Sequence, residues 1–215
     1  MKNEKNNKGF SLVELIIVIA IMALLVAIIT PSLIQYINKA KKAVDITTAE
    51  SIGEVFTTEL VMNEALYKYY NWHVKCAQTE GGGNRKSPNY YRMIAYSSRG
   101  TYDQKFYVNN VNNETASGVL NSDLNAIMQD VCQGIRSLQF QQNDICDYWF
   151  IATDHTGKIY VFVGAGSPSW YLERRNSSLL GDSYKVGQGK SAYMIWPDVA
   201  ETYEHAKRPS DLKDW

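Results

Sequence analysis

Histidine and cysteine are the side chains of this sequence best suited to metal or nucleophilic chemistry. His73 and Cys76 lie three apart and would share one face of a helix, and with Cys132 and Cys146 they could compose a Cys3His zinc site. Structural zinc sites usually present two close ligand pairs, whereas here the second pair is separated by fourteen positions. A Cys132–Cys146 disulfide, or three buried thiols, are the competing readings. Three cysteines are too few, and odd in number, for a disulfide scaffold. The histidines His73, His155 and His205 are accompanied by no G-x-S-x-G elbow, and the run GAGSPSW at 164–170 does not supply one. His155 reads instead as a hairpin-turn residue. Gly187-Gln188-Gly189-Lys190 lacks the spacing of a phosphate-binding loop and reads as a turn. No enzymatic activity is expected.

The elements that would carry these residues are constrained first by composition. Lysine plus arginine total 22, and aspartate plus glutamate total 22, so there is no global basic field to attract nucleic acid. A length of 215 residues suits one domain with a long extension better than two full domains. Much of the aliphatic content is concentrated near the N-terminus, and the remainder is rich in tyrosine.

Leu15–Ile29 contains no polar residue, and Phe10–Val13 extend it beyond Glu14. The 20 residues Phe10–Ile29 form a helix of about 30 Å, enough to cross the hydrocarbon core of a bilayer. Lys2, Lys5 and Lys8 precede it against one acid, Glu4, which retains the N-terminus in the cytoplasm and sends the rest outward. A secretory signal peptide would close on a small-residue cleavage site, and none follows the apolar run. A plain anchor is the other ordinary reading, but it leaves Glu14 unexplained. A carboxylate in a spanning helix costs roughly 2.5–3.5 kcal/mol on insertion scales and so calls for a partner. No base lies within helical reach, and an α-amino group freed by cleavage at the flexible Gly9–Phe10 bond would supply one.

The ordered set Lys8-Gly9-Phe10-Ser11-Leu12-Val13-Glu14-Leu15, followed by the aliphatic run, resembles the class III signal of type IV pilins and pseudopilins. The resemblance covers about the first forty residues and is similar to the type IVa subclass. It implies that a prepilin peptidase cuts after Gly9, that Phe10 is N-methylated, and that Glu14 sets subunit register by pairing with a neighbour's new ammonium. Pro31 stands where the family commonly has a helix-distorting proline; it removes a backbone donor and clashes with the preceding turn, so a kink is expected there, or a stretch that unwinds when subunits pack. Removal of nine residues would leave 19 basic and 21 acidic residues. Some pseudopilins bind calcium; here Asp198, Glu201 and Glu204 read as solvated charges on a helix.

Beyond Pro31 the apolar positions Leu33, Ile37, Ala40, Val44, Ile52, Val55, Phe56, Met62 and Leu66 predict one stripe that packs on a sheet. Lys41 with Asp45, Glu50 with Glu54 and Glu64 with Lys68 fall on the opposite, polar face. The helix is expected to fade after Tyr70, before the loop at Gly81–Asn84. Ser122 is expected to cap a helix over Asp123–Gly134. Strands are expected at Leu138–Gln141, at Tyr148–Thr153 and Lys158–Val163 around a turn at Asp154–Gly157, and at Ala192–Trp196. Tyr90–Tyr107 is ambiguous, and the tail after Pro197 looks helical. Sequons at Asn113 and Asn176 suggest exposed loops at most.

The expected fold is α+β and pilin-like: a long N-terminal helix packed on an antiparallel sheet. The expected organisation is a leader (1–9), a hydrophobic transmembrane and polymerisation helix (10–31), an amphipathic continuation (32–72) and a globular head (73–215). The resemblance implies a structural subunit of a type IV pilus, supporting adhesion, motility or biofilm formation. The alternatives are a pseudopilin of a type II secretion or DNA-uptake system and, from another class, a membrane-anchored extracellular binding domain. Implied partners are other pilin subunits, prepilin peptidase, the inner-membrane assembly machinery and, before assembly, the membrane. The precursor would be a single-pass membrane protein with its head extracytoplasmic, reaching the cell-surface pilus on assembly.

Overall fold

Aliphatic residues with no breaker before Pro31 favour an uninterrupted helix, and a computed structural model shows one: α1, Leu12–Met62, 51 residues long. The structure describes residues 10–79, 90–97, 106–108, 121–135, 138–140, 146–165, 171–174, 184–185 and 191–212. α1 continues through Pro31, where the Thr30 and Ser32 hydroxyls donate back to the Val26 and Ile29 carbonyls at 2.7 and 2.8 Å. Its end is set by Asn63, whose backbone is extended. The Asn63 N–H closes α1 on the Glu59 carbonyl at 2.8 Å, and its Oδ1 accepts from the N–H groups of Ala65 and Leu66. One residue thereby ends α1 and caps α2, Glu64–Thr79. The helical region extends past Tyr70, through the stretch expected to fade.

The strands are β1 (Tyr90–Ser97), β2 (Phe106–Val108), β3 (Tyr148–Thr153), β4 (Ile159–Gly164), β5 (Tyr171–Arg174), β6 (Tyr184–Lys185) and β7 (Ser191–Trp196). Their core is the five-strand antiparallel sheet β2-β1-β3-β4-β7. Short β6 and β5 continue it beyond β7, and β5 returns to pair with the first residues of β1, so the pairings form a closed circuit. α1 packs on β4 and β7, and α2 on β1 and β3. This is a pilin-like α+β fold. Ile94 is the extra residue of a bulge in β1, and the Tyr69 hydroxyl of α2 donates to its carbonyl at 2.9 Å.

The β3–β4 hairpin forms as its composition predicts. Asp154 Oδ1 accepts from Thr156 N–H, Thr156 Oγ1 and Lys158 N–H, Tyr160 donates to Oδ2, and Gly157 takes φ +88°. α2 buttresses this turn through Tyr70 on the Gly157 carbonyl and Gln78 on the His155 carbonyl. Helix α3, Asn121–Val131, starts before the expected cap, so Ser122 lies inside it, and a turn through Gly134 at φ +83° follows. Of the expected strand at 138–141, the described residues Leu138–Phe140 are not a strand: the Gln139 and Phe140 N–H groups go to a carboxylate on α1, and Gln141 lies outside the described residues. The helix after Pro197 is short: α4, Glu201–His205, then a 3-10 turn at Pro209–Asp211.

The predicted α1 stripe is split. Ile52 and Phe56 are buried against the sheet with Ala49, Gly53 and Leu60, whereas Leu33, Ile37, Val55 and Met62 are exposed. The two sets lie about a quarter-turn or more apart on a 3.6-residue helix. Each large side chain on the inner line, such as Phe56 or Ile52, contributes roughly 1.5–3 kcal/mol on burial. Where β4 meets β7, a Cβ on Gly164 would lie 2.6 Å from the Ser191 carbonyl oxygen and 2.8 Å from Ala192. Gly164→Ala should therefore cost about 1–3 kcal/mol, read as a lower urea midpoint of the full chain in detergent.

Candidate functional site

Two regions have functional character: the exposed apolar half of α1, and a polar line where α1 enters the head. From Phe10 to Ile37 every residue of the first half is exposed to solvent, with Phe10 itself 86% exposed. Ser11 caps the helix, its Oγ accepting from Val13 N–H, while Glu14 reaches back to accept the Ser11 N–H at 2.8 Å. Glu14 thus has a local donor in the isolated chain, one turn from Phe10. Gly9 lies outside the described residues, as do the two sequons and Gly187–Lys190.

Asn38, Lys42 and Asp45 follow one another at helical spacing into the buried line Ala49–Ile52–Phe56. Asn38 Nδ2 donates to the Lys207 carbonyl at 3.0 Å. Lys42 Nζ donates to the carbonyls of Tyr203, Glu204 and Ala206, the free C-terminal acceptors of α4, and lies 5.5 Å from the Phe140 ring centre. Asp45 is wholly buried. Its Oδ1 accepts from Gln139 N–H at 2.7 Å, and its Oδ2 accepts from Phe140 N–H at 2.8 Å and the Tyr203 hydroxyl at 3.0 Å. Phe140 and Tyr203 in turn meet edge to face, 5.9 Å between centres. Three α1 residues therefore fasten both the 138–140 segment and the C-terminal segment to the helix.

Burial pushes the Asp45 carboxyl up to about 6, against the downward pull of the two backbone N–H donors, the Tyr203 hydroxyl and Lys41. Burial, with the adjoining Asp45 charge, also drives the Tyr203 phenol upward. The sequence had Asp45 on the solvated face with Lys41; the structure corrects this. The missed signal is phase, since Asp45, Ala49, Ile52, Phe56 and Leu60 form a cleaner helical line than the expected stripe and run through the acid.

The four residues that could compose a zinc site are not brought together. Among the described residues, no three His, Cys, Asp or Glu side chains form a group that could hold a metal, and this includes His73, Cys76, Cys132 and Cys146. His73 is buried between Tyr69 and Trp72, ring centres 4.5 and 4.8 Å away, and its Nδ1 accepts from Arg92 Nε at 3.4 Å. Burial, then the Arg92 charge, holds its pKa well below the ordinary value, so the imidazole is neutral. Cys76, Cys132 and Cys146 are buried thiols outside any disulfide, so the Cys132–Cys146 bridge is not formed here. Burial raises Cys132 to about 12; burial, with added repulsion from Asp45 and Asp147, also holds Cys146 well above its ordinary value. His155 sits in the hairpin turn, Asp198 near the start of the tail, and Glu201 faces His205 at 3.9 Å on α4.

Residues 5–30 match the family described as the prokaryotic N-terminal methylation motif. No curated protein and no solved structure matches the chain.

The raised Asp45 pKa has a definite sign in folding. The folded chain holds this proton more tightly than the unfolded one, so the group's stabilisation is complete below its ordinary 3.8 and is lost as pH rises through about 6. Unfolding free energy should fall by up to about 3 kcal/mol across that window, and Asp45→Asn should flatten the fall. Asp45→Ala, which orphans two N–H groups and a hydroxyl, should lower stability at neutral pH by about 1–3 kcal/mol. Urea titrations across pH check both.

Proposed function

We propose, from the premise that this chain is type IV pilin-like and carries the class III N-terminal methylation signal, that it is a structural subunit of a type IV pilus. Cleavage follows Gly9, Phe10 is methylated, and residues 10–31 serve as membrane anchor and then as polymerisation helix. The precursor crosses the membrane once with its head extracytoplasmic. It serves as substrate for prepilin peptidase and the inner-membrane assembly machinery before joining other pilin subunits. In the fibre the Glu14 carboxylate exchanges its local Ser11 donor for a neighbour's Phe10 ammonium.

The observation that carries this reading is a second stripe on α1. Leu33, Ile37, Ala40, Val44, Thr48, Ser51, Val55 and Met62 recur at spacings of three, four and seven, and none is charged. The stripe lies off the inner line: Leu33, Ile37, Ala40 and Ser51 are exposed, Val44 and Thr48 are half-buried, and Val55 and Met62 are exposed by 41% and 77%. It continues the apolar segment into the head without a break, and between Val44 and Val55 it forms one wall of a groove of about 380 Å³ opposite Val131 and Ile135. A helix that served only as an anchor would gain nothing from an uncharged seam outside the membrane; a helix packing on copies of itself would. Burial at ~25 cal/mol per Å² supplies cohesion, and the buried ion pair supplies register.

The mature N-terminus is the direct check: mass spectrometry should find methylated Phe10, and an intact Met1 would favour a plain anchor. Glu14→Ala should be processed and inserted normally but incorporated poorly into fibres; normal incorporation would remove the register role. Val55→Lys should change the stability of the isolated chain by no more than about 0.5 kcal/mol while reducing fibre incorporation several-fold, measured on sheared surface fractions.

A further inference from the structure

Where α1 enters the head, its apolar surface gives way to a cluster of bases. Lys39 and Lys41 are exposed and flank Asn38 on either side of the helix. The Asn38–Lys207 bond brings Lys207 and Arg208, both exposed, to the same level from the other end of the chain. Lys42, between them, is committed to the α4 carbonyls. The nearby acids are partly spent: Asp211 accepts from the Lys207 and Arg208 N–H groups and from Arg208 Nη2 at 3.3 Å, and Asp45 is buried. Glu201 and Glu204 on α4 are exposed, so among the described residues four outward bases stand against these two acids and the paired Asp211.

The level of this cluster is fixed by the helix beneath it. Phe10–Ile37 measures about 42 Å, which matches the ~40–45 Å of a bilayer counted with its headgroups. Tyr36, 71% exposed, then falls in the outer headgroup band, where amphipathic aromatic rings accumulate. The bases lie immediately above it, within reach of lipid phosphates.

We infer that Lys39, Lys41, Lys207 and Arg208 form a collar that binds anionic phospholipid headgroups on the outer leaflet, seating the head upright while the subunit waits in the membrane. The inference rests on the anchored-precursor reading and adds a lipid partner to it. The collar joins α1 to the C-terminal segment, so headgroup binding also bridges the two elements that Asn38, Lys42 and Asp45 fasten. Attraction of roughly fivefold per base near an anionic surface makes the collective preference measurable, and salt should weaken it.

The full chain in nanodiscs of equal phosphatidylcholine and phosphatidylglycerol, released into native mass spectrometry, tests this. Wild type should retain phosphatidylglycerol about tenfold over phosphatidylcholine. Lys39→Gln/Lys41→Gln/Lys207→Gln should lose most of that preference, while Lys2→Gln/Lys5→Gln/Lys8→Gln, which removes only cytoplasmic bases, should keep a clear part of it. Equal retention of both lipids by wild type, or an unchanged preference in the collar variant, would overturn the collar while leaving the anchored reading intact. Recovery of the chain in the alkaline-carbonate supernatant would overturn the anchored reading and the collar with it.

Discussion

A single buried carboxylate joins the parts of this head that are farthest apart in sequence. Asp45 accepts from the backbone of residues 139 and 140 and from the hydroxyl of Tyr203, so one α1 position holds a mid-chain segment and the C-terminal helix together. Burying that charge is expensive, and three donors aimed at its two oxygens offset part of the desolvation. The same geometry explains why Leu138–Phe140 is not a strand: the Gln139 and Phe140 N–H groups are taken by the acid. Lys42 and Asn38 extend the arrangement one turn at a time toward the membrane side, by occupying carbonyls that a five-residue helix cannot satisfy itself.

The consequence is a helix with two working faces. The inner line from Asp45 to Leu60 is consumed by the head. The uncharged line from Leu33 to Met62 is left for something else, and its continuity with the apolar N-terminal segment makes packing on other helices the natural use. The two faces are constrained differently: a charge at Val55 in the outer seam changes the monomer little, whereas an apolar residue at position 45 would leave three donors orphaned.

Several elements were legible from local chemistry. Asp154-His155-Thr156-Gly157 forces a tight turn through the Asp154 carboxylate and the positive φ of Gly157, and the flanking β-branched and aromatic residues form β3 and β4 as their types require. Gly134 likewise marks the turn after α3. The break at Asn63 was less visible because asparagine is a weak signal inside a helical pattern, and here it acts as the end of one helix and the cap of the next. The cysteine and histidine pattern left a metal site open, yet spacing along the chain says nothing about which faces converge, and His73 meets Tyr69, Trp72 and the Arg92 guanidinium rather than the cysteines.

The residue string alone determined the N-terminal character: lysines, glycine, phenylalanine, glutamate and an aliphatic run follow one another within one short stretch, so their meaning depends on nothing distant. It also determined that the long helix would meet an antiparallel sheet, because hydrophobic periodicity is a local property. Tertiary structure alone decided which side of α1 the head covers and that Asp45, rather than a hydrophobe, occupies its centre. The donors that make a buried acid tolerable lie 94 to 158 positions away, and a partnership over that separation leaves no mark in local sequence.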